Sequence, residues 1–403
     1  MKQFFTFLLL TNYLMGQSWL QISNFPDAAR DDGIGVAVNN KAYFGLGLKV
    51  GWVLGNDIYA YDVSTHQWIA IAPFPAGKER QYASAFSGTD CFYVFGGDAP
   101  SGAYNDLYKY DISSNTWSVM ASKPGVGLKG ASVMRFGDKV IIAGGVNVTE
   151  GPVSDDVWEY TLSTNTWLQK NNFPFGGRWR ASAAVLNNNG YLCHGRDNNY
   201  SFRKELYKYT PLTDTWTKVN DFPGLGRSYV SLQCVNNKLI LFGGQDTTGA
   251  FHQDVWYYNE TVNAWYQGSS ISGTARRGDM SCVIAENYYF TCGLGTGDTR
   301  LKETWMMDVP VGMNEYYKNT DFRFFPNPAH SQIQLCLTNA TFQNQELTCS
   351  IEDMSGRQVL VIPLNFMQGT HSTFGVEDLE CGIYILKISN KTKLLTVEKL
   401  IKH

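Results

Sequence analysis

The sequence predicts an all-β chain: a six-bladed β-propeller closed by an N-terminal strand, then a small C-terminal β-sandwich. Three observations carry this. A heptamer recurs six times at nearly constant steps, a tryptophan keeps a fixed distance from it, and the composition suits short strands joined by tight turns. Of 403 residues, 44% are hydrophobic, 14% aromatic and only 17% charged, with 39 glycines. Such a chain can bury a core and has little in common with disordered sequences. The net charge of −3 gives no general reason to bind nucleic acid or an anionic membrane.

The heptamers are NDIYAYD from Asn56, NDLYKYD from Asn105, DDVWEYT from Asp155, KELYKYT from Lys204, QDVWYYN from Gln253 and KETWMMD from Lys302, at steps of 49 or 50 residues. Twelve residues after the start of each of the first five stand Trp68, Trp117, Trp167, Trp216 and Trp265. The sixth has no such partner downstream; Trp19 instead lies 49 residues before Trp68. Self-similarity at this period marks a repeat architecture. A ring avoids exposed strand edges only if it closes, so the strand around Trp19 is expected to complete the sheet near 278–308.

Each repeat contains four strand-like runs. In the second they are Tyr82–Phe86, Cys91–Phe95, Leu107–Tyr110 and Thr116–Met120, separated by turn residues. The second run ends in glycines at Gly96-Gly97, Gly144-Gly145 and Gly243-Gly244, with degenerate forms at Gly45/Gly47, His194-Gly195 and Cys292-Gly293. Glycine there permits a left-handed backbone or close approach of another chain segment. A double glycine followed by a spaced aromatic and a tryptophan resembles the kelch motif over about 18–309. The resemblance implies one four-stranded blade per repeat around a central channel.

Two polar series run through the repeats. Asp57, Asp106, Asp156, Glu205, Asp254 and Glu303 precede the heptamer aromatic and share a strand face with large side chains. Partial burial of a carboxylate demands a hydrogen-bonding or cationic partner, so these acids are expected to brace the scaffold. The basic series is Arg30, Arg80, Arg178, Arg227 and Arg277, interrupted at Leu128 beside Lys129. Most members follow a Phe-Pro turn, at Phe25-Pro26, Phe74-Pro75, Phe173-Pro174 and Phe222-Pro223. In kelch propellers of animals the equivalent arginine lines the ligand-binding mouth, and the resemblance implies the same for these five. Tyr82, Trp179 and Tyr229, with Arg180 and Arg276, would add stacking faces, and guanidinium groups hold carboxylates in a two-pronged geometry. The alternative is that each arginine braces a repeated acid.

The ends carry targeting signals. Lys2, the apolar run Phe4–Leu10 and small Gly16 read as a signal peptide over 1–16, so export is expected. No later apolar run is long enough for a membrane helix. The propeller is assigned to 17–309 and a polar linker to 310–321. Over 322–403, alternating runs at Ile333–Leu337, Leu347–Ile351, Gln358–Ile362 and Ile383–Ile388 read as sandwich strands. Four motifs, FFPNPA from Phe324, EDMSGRQV from Glu352, DLECGIYIL from Asp378 and KLIK from Lys399, resemble a type IX secretion C-terminal sorting domain in order and spacing. This implies a Gram-negative bacterium, the type IX translocon and its sorting peptidase as partners, and release or anchoring at the outer surface.

The function expected from these parts is a secreted or cell-surface binding protein whose mouth grips an acidic glycan or protein ligand, acting as a monomer without cofactor or metal. The eight cysteines include no CxxC pair and sit mostly in apolar runs, so no zinc site is expected. His66, His194 and His252 occupy unlike repeat positions, which argues against a copper oxidase. The alternative is an enzyme: some bacterial six-bladed kelch proteins similar to this chain are sialic acid mutarotases or epimerases. Such an activity needs a base in the mouth, for which Asp31, Glu79 and Asp279 are the candidates, with Asp32 alongside.

Overall fold

The computed structural model describes residues 18–148, 151–308, 322–337, 345–353, 357–364, 366, 370–390 and 394–403. Residues 1–16, expected to form a signal peptide, and 310–321, expected to form a linker, lie outside these. The chain divides into two units, Met1–Pro310 and Val311–His403. Among the described residues the chain is all-β, with no α-helix.

Within the first unit the described residues form six four-stranded antiparallel sheets. In the second repeat the strands are Ser84–Ser87, Cys91–Phe95, Leu107–Asp111 and Thr116–Val119, within a few residues of the runs read from the sequence. The second strand of that sheet is buried at every position, because sheets cover both of its faces. The sixth sheet combines Met280–Ile284, Asn287–Thr291 and Thr304–Asp308 with Ser18–Ile22, in the register Trp19↔Met307.

The first strands of successive sheets lie side by side. Ile34–Val38 touches Ser84–Ser87 on one side and Met280–Ile284 on the other, and the remaining first strands adjoin in chain order. Apolar clusters fill the spaces between sheets: one joins Phe44 and Tyr61 of the first to Met280 and Tyr289 of the sixth. The repeated tryptophans tie neighbouring sheets at the periphery. Each indole N–H reaches a carbonyl just beyond the outer strand of the preceding sheet: Trp68 to Ser23 (3.1 Å), Trp117 to Ala72 (3.0 Å), Trp167 to Ala121 (2.7 Å), Trp265 to Asn220 (3.2 Å) and Trp19 to Ser269 (3.3 Å). Trp216 has no such partner.

In the second unit, Phe322–Phe325, Gln332–Leu337 and His371–Gly375 form one sheet. Leu347–Glu352, Gln358–Leu364, Gly382–Ser389 and Leu394–Lys402 form another. Between them Ile333, Leu335, Cys349, Ile351, Leu386 and Ile388 make a common core. The first and last sequence motifs meet, since Asn327 Oδ1 accepts the Ile401 N–H at 2.9 Å. All eight cysteines are free thiols.

Candidate functional site

The repeated arginines and acids meet inside every repeat but the third. Arg30 pairs with Asp57 and Arg80 with Asp106, both at 2.6 Å. Arg227 pairs with Asp254 at 2.6 Å. These three guanidiniums, and that of Arg276 in the sixth repeat, also donate to the carbonyl 16 residues later, at Leu46, Gly96, Gly243 and Cys292. The Phe-Pro phenylalanines lie against the same groups, Phe25 under Arg30 at 4.6 Å and Phe74 under Arg80 at 4.7 Å. Arginine, acid and aromatic thus form a common brace in these repeats, with the guanidinium wholly buried at Arg30 and Arg80. Buried charge is tolerated because each cation is both paired and hydrogen-bonded.

The fourth brace is looser. Arg178 stands 3.8 Å from Glu205, which Arg203 also holds, and donates instead to the carbonyls of Phe175, Gly176 and Gly177. In the third repeat Leu128 replaces the arginine, and the adjoining Lys129 pairs with Asp98 at 2.9 Å.

Two expectations need revision. The sixth brace is Arg276, bonded to Glu303, and not Arg277. The 49-residue step from Arg227 lands on Arg276, so the period already contained this register. Further, Arg30, Arg80, Arg178 and Arg227 are buried in their braces and present no free face to a ligand. The series legible in the sequence is structural in these four members.

The residue two places beyond each brace position faces the opening. These residues are Asp32, Tyr82, Gly130, Arg180, Tyr229 and Gly278, and all have φ between 55° and 62°. Their main chains form a cycle. Tyr82 N–H donates to Asp32 O (2.9 Å), Gly130 to Tyr82 (2.9 Å), Arg180 to Gly130 (3.1 Å), Tyr229 to Arg180 (3.2 Å), Gly278 to Tyr229 (3.3 Å) and Asp32 to Gly278 (2.8 Å). A Cβ at Gly278 would stand 2.4 Å from Asp32 Oδ1, so any other residue here would displace that carboxylate.

Side chains from several repeats converge on this cycle. The Arg180 guanidinium lies 4.3 Å from the Tyr82 ring, 3.7 Å from Trp179 and 4.0 Å from Tyr229. Arg277 covers Tyr229 at 4.0 Å. Arg196, which sequence reasoning missed, neighbours both arginines; burial and the Arg277 charge lower its pKa. Burial likewise lowers Arg180, to about 10. Nε of Arg180, Arg196 and Arg277, Nη1 of Arg277 and Nε1 of Trp179 are buried donors without a protein partner. Asp32 Oδ2 and Asp279 Oδ1, on residues that line the same cavity as Arg180, are buried acceptors without a protein partner.

Of the candidate bases, Asp31 is committed to Arg300 at 2.7 Å, and Glu79 accepts the Gly77 N–H within its own turn. Asp279 lines the cavity with Asp32, Tyr82, Arg180 and Tyr229, and accepts from Ser231 Oγ at 2.7 Å. Burial raises Asp279 to about 6. Burial and the charge of Asp31 raise Asp32 well above the ordinary carboxylate range, despite Arg277 and Arg180 nearby. The cluster therefore combines unpaired cations, aromatic faces and two carboxyls that hold protons readily.

A family model for the KLHDC2/KLHL20/DRC7 kelch-repeats domain matches residues 36–224 and 130–341. A secretion system C-terminal sorting domain matches residues 323–403. A solved structure of a protein called YjhT superposes with a TM-score of 0.62 at 18% identity, covering 71% of this chain and 96% of that one. At that identity the likeness concerns the fold. No curated protein sequence matches the chain.

Proposed function

The chain belongs to the kelch-repeat family and carries a secretion-system C-terminal sorting domain, and on that premise we propose that it is an exported binding protein for acidic ligands. In this reading the six sheets are blades of one ring, closed by Ser18–Ile22 within the sixth. The sorting domain implies export through the secretion machinery to the cell surface or beyond. The ligand enters the mouth marked by Asp32, Tyr82, Arg180, Tyr229 and Arg277.

One observation supports the ligand class above the others: buried guanidinium nitrogens of Arg180, Arg196 and Arg277 have no protein acceptor, and Arg180 lines the cavity together with Asp32 and Asp279. Unpaired buried donors are costly, and three like charges held together are costlier. An incoming carboxylate would satisfy both needs. Each charge-assisted hydrogen bond is worth about 1.5–3 kcal/mol. Arg180→Ala and Arg277→Ala should therefore weaken binding of acidic ligands at least about tenfold each. Screening the purified protein on an array of acidic glycans and peptides tests this. A ligand bound equally well by wild type and by both variants would overturn the reading.

A sugar mutarotase or epimerase is the second reading, favoured by Asp32 and Asp279, two carboxyls that burial holds closer to neutrality than usual. NMR of an anomerically pure acidic sugar distinguishes the two. Equilibration faster with protein than in buffer, and lost in Asp32→Asn, supports catalysis; an unchanged rate leaves binding alone.

A further inference from the structure

Trp52 sits at the tip of a hairpin in which Leu48–Lys49 pairs with Val53–Leu54. It is 76% exposed, flanked by exposed Val50 and Val53. Its φ is 63°, a left-handed conformation that glycine or asparagine holds readily and a bulky residue rarely adopts. An indole this exposed buries little apolar surface, so packing accounts for little of its presence.

Its connections supply another account. The hairpin pairs with Arg30–Asp31, through Arg30↔Lys49 and Asp31↔Leu48. The Arg300 guanidinium lies 4.9 Å from the Trp52 ring. Nε of that arginine is fixed by Asp31 Oδ1 at 2.7 Å and by Leu48 O at 2.9 Å. Asp31 adjoins Asp32, a member of the mouth cycle. The exposed indole is therefore anchored, through one buried ion pair, to the lip of the site.

We propose that Trp52 is a stacking platform for the second unit of an acidic oligosaccharide whose charged unit occupies the Arg180–Arg277 mouth. This rests on the reading of the mouth as an anion site and names its ligand class. A sugar is favoured over an acidic peptide by the mixture of groups at the mouth. Unpaired donors on Arg180 and Arg277 call for a carboxylate, while the unpaired acceptors Asp32 Oδ2 and Asp279 Oδ1 call for hydroxyl donors. A sugar acid carries a carboxylate and several hydroxyl donors on one ring, whereas an acidic peptide brings donors only along its backbone, away from its carboxylates. A flat exposed indole then offers the apolar face on which a pyranose ring lies.

The test compares the full-length wild-type protein with Trp52→Asn, Trp52→Phe and Arg180→Ala on an array of uronic, sialylated and sulfated sugars, each as monosaccharide and oligosaccharide, with polyglutamate as the peptide arm. Trp52→Asn should lose on the order of tenfold in affinity for the oligosaccharides and keep its affinity for the matching monosaccharide. Trp52→Phe should recover part of the loss. Arg180→Ala should lose both. Asparagine suits the backbone, so Trp52→Asn should melt no lower than wild type, which separates a binding defect from a folding one. Oligosaccharide affinity unchanged in Trp52→Asn but lost in Arg180→Ala overturns the platform and leaves the mouth site standing. Binding of polyglutamate alone overturns the sugar assignment, and no acidic ligand at all overturns mouth and platform together.

Discussion

The main-chain N–H of Asp32 donates to the carbonyl of Gly278 at 2.8 Å, joining the first repeat to the sixth. The two residues lie far apart in sequence and share no chemistry. What they share is a place in the repeat and a left-handed backbone, with φ of 58° and 62°. Arg180 and Tyr229 occupy the same place in other repeats, so the bond belongs to the frame that sets the mouth residues around one opening.

The braces and the mouth should separate in mutagenesis. Arg227→Ala strips Asp254 and the Gly243 carbonyl of a buried partner, and breaking such a pair costs about 3 kcal/mol or more. Arg180→Ala breaks no ion pair, and the repulsion it relieves from Arg196 and Arg277 offsets part of the contact it loses with Tyr82, Trp179 and Tyr229, so it should cost clearly less than Arg227→Ala. Denaturant unfolding of both variants checks this. Equal losses would mean that Arg180 is a brace as well.

His194 offers a stabilising substitution. It is fully buried with φ 62°, and neither ring nitrogen has a protein partner. Leu46 holds the corresponding place in the first repeat at φ 59°, so the backbone tolerates leucine. His194→Leu should gain about 1–2 kcal/mol by removing two unsatisfied polar atoms. The same histidine makes stability pH-dependent. Burial lowers its pKa from 6.5 to about 3, so below pH 6.5 the unfolded chain takes up a proton that the folded chain refuses. Its contribution is intact above 6.5 and is lost progressively as pH falls toward about 3. Melting temperatures from pH 7 to 4 should fall less steeply in His194→Leu than in wild type.

Asp32 should set the pH response of binding. Its carboxyl faces Asp31, Arg180, Arg277 and Tyr82 and titrates above the ordinary carboxylate range. When ionised it competes with an anionic ligand for the arginines. Affinity for an acidic ligand should rise as pH falls through the Asp32 transition, and Asp32→Asn should bind more tightly at high pH with a flatter profile. Calorimetric titration across pH 5–8 reads both; a steep profile surviving in Asp32→Asn would contradict the assignment.

Trp19→Ala should loosen the seam between the chain's ends. The indole packs on Phe290 and Phe242 with ring centroids 5.5 and 6.1 Å away, and donates to Ser269. The loss should be about 2–3 kcal/mol, read by thermal unfolding. No change would mean that the strand contributes little.

Much of the frame was legible because repetition exposes it. The tryptophan spacing pointed to Trp19 beside the 278–308 sheet, where Trp19 pairs with Met307. Asp57, Asp106, Asp254 and Glu303 each hold an arginine, whereas Asp156 has no arginine to hold. The mouth was less legible for a physical reason. Identical arginines stand out in a sequence, but spacing says nothing of depth, and Arg30, Arg80, Arg178 and Arg227 point inward. The residues that face the opening, from Asp32 to Gly278, are chemically unlike and united only by backbone conformation, which no residue pattern displays. Arg277 belongs to the mouth for a reason other than the one its apparent series implied. Arg196 lies in a different loop and left no repeat signal at all.

Hydrogen–deuterium exchange, followed peptide by peptide, tests the closed ring most directly. If Ser18–Ile22 is an integral strand of the sixth blade, its amides should be protected as strongly as those of Thr304–Asp308, and the two segments should lose protection together as denaturant is added. Free exchange of 18–22 while 304–308 stays protected would contradict the account.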